Sequence, residues 1–285
     1  MINKETFVMK KSLIAFVLLL LFAEMALCQE KMEIEGAIII NNSEDASPAP
    51  GTIRFNPTIN DFEGWNSVTW VSLTGIQYLI DEMTDQDGNT YPTVTIGRQE
   101  WMATNLKVTK YQNGSAIVLI DNDAAGNTAW STADYGAYAV FDTTSTGYSF
   151  DLERFGYIYN WYAVHDGRGL CPSGWHVPSD EEWTTLIDYL GGSEIAGGKM
   201  KETGTTHWYS PNIGATNESG FTGLPSGFRN ISGSFNELGF AGFLWCSTDT
   251  DSSRARFSYL NFLDDNVDRF SNDKRYGFSV RCVKD

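Results

Sequence analysis

Catalysis or metal binding in this chain would depend on three histidines, His165, His176 and His207. None of them stands in an HExxH pattern or a comparable close spacing, which a metal site needs to bring two imidazoles onto one ion. The adjacent glutamates Glu181 and Glu182 point about 100° apart on a helix, so they cannot face each other across one glycosidic bond as acid and base. These residues therefore predict no enzyme, no catalytic residue and no metal or other cofactor.

One turn has oxygen-bearing side chains at every second position, as calcium-binding loops do. Asp85, Asp87 and Asn89 alternate in this way, but Gly88 is misplaced for an EF-hand and Ile96 stands where its terminal glutamate belongs. The Asp-Gly pair favours a hairpin turn instead. A similar stretch over 121–126 lacks an oxygen ligand at its fifth position and is interpreted as a surface loop, so structural calcium is an alternative that no motif supports.

The first residues have the pattern of a targeting segment. Two lysines precede the apolar run 13–23, and the small residue Ala26 lies three positions before Gln29. This pattern predicts a signal peptide over 1–28, cleaved between Cys28 and Gln29. Lipidation of Cys28 is the alternative, although the small residue that a lipobox has before its cysteine is missing. We expect the mature protein to be secreted or held at the cell surface.

The composition of this 285-residue chain limits its fold class and the partners that it can bind. The hydrophobic fraction of 42% is enough for a packed core, and the net charge of −16 excludes electrostatic binding to nucleic acid, which requires a basic surface. No further run of about 18 apolar residues follows the signal peptide, so no transmembrane anchor is expected in the mature chain. Cleavage leaves Cys171, Cys246 and Cys282, and this odd number predicts one disulfide and one free thiol.

A small β-hairpin segment is predicted over 29–78, with short strands over 51–56, 61–66 and 69–73. Its GTIRFN, FEGW and tryptophan motifs resemble modules of trimeric fibre and tail-spike proteins. Its core is too small to stand alone, so we expect it to pack on the next domain or to form a homotrimer. The main domain is predicted over 79–285.

One helix in the main domain can be predicted from its start, its buried face and its end. Ser179 and Glu182 form a capping box, Trp183 begins an apolar stripe that anchors the core, and two glycines follow the last turn. The aromatic run 156–164 is interpreted as a core strand, with a stacking platform for sugars as the alternative. Other stretches have weaker patterns, which predict an exposed variable surface over 112–153, a helical turn over 196–201, and strands over 93–96, 243–248, 255–260 and 276–283.

Several motifs occur in order over residues 80–285: DQDGNTYPTVTIGRQEWMATNL, GYIYNWYAV, GLCPSGWHVPSDEEW, AGGKMKETG, GATNESGFTGLPSGFR, WCST and GFSVRC. Through them the chain resembles the FISUMP family, the major paralogous domain first named from Fibrobacter succinogenes. The resemblance implies an α+β, C-type-lectin-like fold with short strands, one main helix and long loops, akin to the formylglycine-generating enzymes. It also implies a Cys171–Cys282 disulfide. Cys246 replaces the family's usual serine, and we expect it to be a buried free thiol.

The signal peptide, the nine tryptophans and the lectin-like resemblance predict a non-catalytic binding module for a glycan, another extracellular polymer or a protein. The expected ligand-binding residues are loop side chains that combine stacking with polar hydrogen bonds, with a core or loop-bracing role as the alternative: Trp208, Asn212, Asn217, Phe228 and Arg229. Calcium-dependent sugar binding is not expected, because the lectin triplets that hold calcium do not occur. Two alternatives to a binding module are considered. One is a structural appendage tip on a trimeric base, and the more remote one is an oxidase that holds copper between two thiols, as the formylglycine-generating enzymes do.

Overall fold

The computed structural model describes residues 53–56, 61–65, 70–72, 82–141 and 151–285. The predicted signal peptide over 1–28, with cleavage or lipidation at Cys28, lies outside these residues. The chain divides into two compact units, Met1–Leu79 and Ile80–Asp285. No helix among the described residues is long and apolar enough to cross a membrane.

The first unit contains a three-stranded antiparallel sheet. Its strands are β1 (Ile53–Asn56), β2 (Asp61–Trp65) and β3 (Trp70–Ser72), with β2 in the centre. Phe55 pairs with Phe62, and Glu63 pairs with Ser72. The predicted pairing of short strands is confirmed, while a trimer formed through 29–78 stays a prediction.

The second unit is a mixed α+β structure. Its described strands are β4 (Glu82–Thr84), β5 (Thr90–Ile96), β6 (Gln99–Met102), β7 (Val118–Leu119), β8 (Ala137–Ala139), β9 (Ile158–Asn160), β10 (Trp175–His176), β11 (Ser226–Arg229), β12 (Phe235–Leu238), β13 (Ala241–Asp249), β14 (Arg254–Asn261), β15 (Asp268–Asp273), β16 (Gly277–Phe278) and β17 (Val283–Lys284). Its described helices are α1 (Ala124–Thr132), α2 (Leu152–Phe155), α3 (Trp161–Val164), α4 (Asp180–Tyr189) and α5 (Ser193–Met200).

These strands form two sheets. The smaller sheet has the order β10-β17-β6-β5-β4, and all its neighbours are antiparallel. The larger sheet has the order β15-β14-β13-β11-β16-β9-β8-β7, and β12 pairs with β11. Its β11–β13 and β7–β8 pairs are parallel. Its longest antiparallel run joins β13, β14 and β15, the strands that lead into two of the turns at the candidate site.

Helix α4 begins and packs as its sequence predicts. The hydroxyl oxygen of Ser179 accepts a hydrogen bond from the backbone N–H of Glu182, whose carboxylate in turn accepts one from the N–H of Ser179 at 2.7 Å. The Trp183 ring is buried, with its centroid 5.1 Å from that of Trp101 and 5.9 Å from that of Phe221. The capping box and the core anchor are therefore confirmed.

Three local predictions differ from the structure. The predicted closing strand over 276–283 is divided, because Gly277–Phe278 joins the larger sheet and Val283–Lys284 joins the smaller one. The aromatic run over 156–164 is a strand only as far as Asn160 and continues as helix α3. The stretch predicted to be an exposed surface contains helix α1, which is capped by Asp123 and buries Trp130.

Candidate functional site

Arg229, one of the predicted ligand-binding residues, is fully buried. Its guanidinium donates hydrogen bonds to the carbonyl oxygens of Ile120, Asp121 and Gly233 and to the side-chain oxygen of Asn127, at 2.7–3.1 Å. The cation also lies 4.5 Å from the ring centroid of Trp130. Burial lowers the pKa of Arg229 to about 10, which leaves it protonated at neutral pH. This buried side chain therefore joins α1 and the segment before it to strand β11.

The other predicted residues also serve the fold. Trp208 is buried, and its indole N–H donates to the carbonyl of Gly223 at 3.0 Å. The Asn212 amide is buried and donates to two backbone carbonyls, while the Asn217 side chain exchanges hydrogen bonds with Thr222. The Phe228 ring packs on Phe243 with 4.8 Å between centroids. The five side chains therefore sit in core or loop-bracing positions, and none of them lines either of the two concavities described below.

The cysteines are placed as the family resemblance implies. Cys171 and Cys282 form a disulfide, while Cys246 is a buried free thiol whose pKa is raised by burial. The bond joins the loop before α4 to the last strands of the domain. Cys246 is the free thiol among the described residues.

The acidic turn at Asp85 is a hairpin turn between β4 and β5. One carboxylate oxygen of Asp85 accepts from the backbone N–H groups of Asp87 and Asn89, and the other accepts from the Asn89 amide and the Tyr91 hydroxyl at 2.6–2.8 Å. Asp87 forms an ion pair with Lys110 at 2.8 Å. Protein donors therefore occupy the oxygens that a calcium ion would need, and the predicted hairpin turn is confirmed.

The histidines have partners that fit structural roles. His176 lies between two carboxylates, with Nε2 2.7 Å from Glu182 and Nδ1 2.7 Å from Asp285. His165 stacks on Trp161, and His207 is 2.7 Å from Glu202. In the described part of the chain, no three His, Cys, Asp or Glu side chains gather where they could hold a metal ion.

A cleft opens where several strands of the larger sheet end. It has a volume of about 210 Å³ and is lined by the end of α1, by α3, by the β13–β14 turn and by the β15–β16 turn: Thr132, Ala133, Asp134, Tyr162, Ser252, Ser253, Asp273 and Arg275. Pockets for drug-sized ligands are usually about 300–1,000 Å³. This cleft therefore suits a single small ring better than a large cofactor.

Asn160 fixes two walls of the cleft to each other. Its buried side-chain oxygen accepts from the backbone N–H groups of Ala137 and Ala163 at 2.9 and 3.1 Å. Its amide N–H donates to the carbonyl of Tyr135 at 2.9 Å. The cleft residue Asp134 immediately precedes Tyr135, and the cleft residue Tyr162 immediately precedes Ala163. The segments that carry both cleft residues are consequently held by a single buried amide.

Lys274 holds the other two walls. Its backbone carbonyl accepts from the N–H of Trp161 at 2.9 Å, and its ammonium lies 4.2 Å from the centroid of the Trp161 ring. The same ammonium donates to the Asp251 carbonyl and pairs with Asp249 at 3.2 Å. The turn with Ser252 and Ser253, the turn with Arg275 and helix α3 therefore share this buried contact.

The charged groups of the cleft are partly neutralised among themselves. Arg275 makes two parallel hydrogen bonds to Asp273, at 2.9 and 2.6 Å, and a third to the carbonyl of Ser131. Hydrogen bonds from Arg275 hold the pKa of Asp273 below its usual range. Asp134 is exposed and adds a second carboxylate. The lining thus has two carboxylates, one guanidinium and three hydroxyl-bearing side chains of Ser or Thr around the half-exposed ring of Tyr162.

The family model described as the Fibrobacter succinogenes major domain matches residues 94–284, about two thirds of the chain. The chain belongs to this family. No curated protein and no solved structure matches it. Every lining residue of the cleft lies within the matched Fibrobacter succinogenes major domain, as do Cys171 and Cys282.

Sequence reasoning missed most of the cleft in this Fibrobacter succinogenes major domain. One signal was present, because Tyr162 belongs to the aromatic run over 156–164 for which a sugar platform was the alternative interpretation. The remaining lining residues are short polar side chains in turns. Such residues occur in most surface loops, and only the fold brings these together.

Proposed function

We propose that the main domain is a non-catalytic binding module of a secreted or cell-surface protein, and that its cleft binds one residue of a neutral glycan chain. The observation that carries the proposal is the lining of the cleft, in which a half-exposed tyrosine ring is surrounded by carboxylate and hydroxyl groups on braced walls. The signal-peptide pattern and the lectin-like resemblance support the extracellular location and a C-type-lectin-like fold.

The lining suits the two kinds of surface that a sugar ring presents. The C–H groups on one face of a pyranose pack on an aromatic ring, as apolar surfaces do when they leave water. Its hydroxyl groups donate to carboxylates and accept from hydroxyl groups, which Asp134 and Ser252 supply. Rigid walls reduce the entropy that binding costs, and the buried contacts of Asn160 and Lys274 supply that rigidity.

Charge favours a neutral glycan over an anionic one. The cleft has two carboxylates and one guanidinium, and Arg275 is already paired with Asp273. The whole chain has a net charge of −16, so a polyanionic glycan would be repelled over a range of about 8–10 Å at ordinary ionic strength.

The same pairing supports binding without hydrolysis. A glycosidase needs one carboxyl group that stays protonated near neutral pH, which requires a raised pKa. Asp273 has a lowered pKa because it accepts two hydrogen bonds from Arg275. It is therefore unsuited to act as a general acid beside Asp134.

The thiols support binding without oxidase chemistry. A formylglycine-type copper site uses two nearby thiols, but Cys171 and Cys282 are joined to each other and Cys246 is buried with a raised thiol pKa. The described part of the main domain thus offers no pair of thiols. A binding module fits this donor set better.

A display role is compatible with glycan binding. The GTIRFN and FEGW motifs of the first unit resemble modules of trimeric fibres, and a trimeric base of this kind would present the main domain at a tip. Size-exclusion chromatography with light scattering on the mature chain tests this role. We expect a trimer, and a clean monomer would remove the display role without affecting the binding proposal.

The binding proposal is tested by affinity electrophoresis in gels that contain soluble polysaccharides, neutral ones such as β-glucan, xylan and mannan, and anionic ones such as alginate. We expect at least one neutral polymer to retard the wild-type protein, and Tyr162→Ala to weaken that interaction about tenfold. Phe270→Ala is the matched control, because Phe270 is an exposed aromatic residue outside the cleft. Retardation by no neutral polymer, or equal retardation of both variants, would contradict the proposal.

A further inference from the structure

A second groove lies between the β5–β6 hairpin and helix α4. It has a volume of about 380 Å³ and is lined by Ile96, Gly97, Arg98, Thr185 and Tyr189. None of its lining residues lines the first cleft, and none of them is acidic. The two concavities therefore differ in charge.

Tyr189 supplies a fixed aromatic platform in this groove. Its side chain is 66% exposed, the largest value among the exposed hydrophobic residues that the structure describes. The ring lies against the backbone of Gly97, where an added Cβ atom would approach its Cδ2 to 2.9 Å. Gly97 also has a φ of +65°, which glycine adopts without strain. One part of the ring is thus held by the hairpin, and the remainder faces solvent.

Arg98 follows Gly97 in the hairpin and is exposed. Its guanidinium has no hydrogen bond or ion pair with any residue that the structure describes, and Tyr189 likewise has no hydrogen-bonding or stacked aromatic partner there. Thr185 donates its hydroxyl proton to the carbonyl of Glu181, which leaves its oxygen able to accept. An aromatic face, an unpaired guanidinium and an acceptor oxygen therefore line one groove in an acidic protein.

We propose that this groove binds a sugar residue that carries a carboxylate, a hexuronic acid. The ring packs on Tyr189, the carboxylate accepts hydrogen bonds from Arg98, and a hydroxyl donates to Thr185. A peptide C-terminus has the same charge, but it gains affinity by burying an apolar side chain, and the aliphatic wall at Ile96 is already buried by the protein itself. The net charge of −16 restricts the ligand to isolated uronic acid residues and disfavours polyuronates.

The test is a titration of the protein with two probes, methyl β-D-glucuronide and methyl β-D-glucoside, in which binding is measured by saturation-transfer NMR. The probes differ only at C6, where the glucuronide has a carboxylate and the glucoside a hydroxymethyl group. We expect wild-type protein to bind the glucuronide about tenfold more tightly. Arg98→Gln should remove this preference, and Tyr189→Ala should weaken binding of the glucuronide about tenfold. Phe270→Ala is the control, because Phe270 is an exposed aromatic residue that lines neither concavity, and it should leave glucuronide binding unchanged.

Three results would overturn the inference: equal binding of the two probes, an Arg98→Gln variant that keeps the preference, or displacement of the glucuronide by N-acetylphenylalanine at lower concentration, which would indicate a peptide C-terminus. These results are distinguishable from failure of the neutral-glycan proposal. That proposal depends on Tyr162, whereas this one depends on Arg98 and Tyr189. Arg98 and Tyr189 are exposed, so the variants are expected to fold, and thermal melting checks this.

Discussion

The side-chain oxygen of Asn160 lies 2.9 Å from the backbone nitrogen of Ala137, although 23 positions separate the two residues in the chain. This contact holds the segment of Asp134 against the helix of Tyr162. The cleft therefore depends on a buried residue that does not line it.

Asn160→Ala is expected to lower the free energy of unfolding by about 2–4 kcal/mol, because it leaves the buried N–H groups of Ala137 and Ala163 and the partly buried Tyr135 carbonyl without this partner. Urea denaturation followed by tryptophan fluorescence measures the loss. The same variant should bind neutral oligosaccharide more weakly at a temperature where it is folded. Unchanged stability would show that the amide does not fix the walls.

Arg229→Met separates folding from binding. We expect it to cost about 3–5 kcal/mol of stability, since it removes the donor for two buried and two partly buried acceptors. The folded fraction should keep its affinity for neutral glycan. Arg275→Gln is the converse variant, because Arg275 is half-buried in the cleft and should affect affinity more than stability. If Arg229→Met abolished binding in folded protein, the placement of the site would be wrong.

His176 is expected to make stability depend on pH. Partial burial lowers its pKa, but hydrogen bonds to Asp285 and Glu182 outweigh burial and raise it above the ordinary value of about 6.5. A raised folded-state pKa stabilises the protein fully below about 6.5, and this contribution is lost as the pH rises through the folded-state value. Denaturation midpoints at pH 5.5 and pH 9 should differ more in wild type than in His176→Asn. Equal differences would contradict the assignment.

The thiols give a prediction about redox conditions. Reduction of Cys171–Cys282, or replacement of both residues by serine, should cost about 3–5 kcal/mol, because the bond closes a long loop with a sequence separation of 111. Cys246 should react with a thiol reagent only after unfolding, since it is buried and its pKa is raised. Rapid labelling of a thiol in native protein that begins at Gln29, and so lacks Cys28, would contradict this arrangement.

Local sequence signals predicted some elements well. The capping box at Ser179 and the apolar stripe from Trp183 lie within one helix, so local spacing is enough to identify them. Helix α1 was missed because its residues, AAGNTAWST, have no apolar stripe and bury only Trp130. Its stability comes from tertiary contacts such as the stacking of Arg229 on Trp130.

The candidate site could not be predicted from local patterns. Arg229 and Trp208 were expected at a ligand because arginine and tryptophan in loop-like sequence suggest binding, but burial depends on distant partners such as Ile120 and Gly223. The cleft combines four segments whose contact is created by strand order in the larger sheet. Neither periodicity nor a motif contains that information.

The most direct test is a map of ligand contacts by amide chemical shifts. The protein, produced from Gln29 onward and labelled with ¹⁵N and ²H, is titrated with a neutral oligosaccharide from a polymer that retards it. We predict that the largest shifts fall at Asp134, Tyr162, Ser252, Ser253 and Arg275, and that Tyr162→Ala removes them. Shifts that cluster away from these residues, or saturable binding that leaves their amides unchanged, would contradict the claim that this cleft is the glycan site.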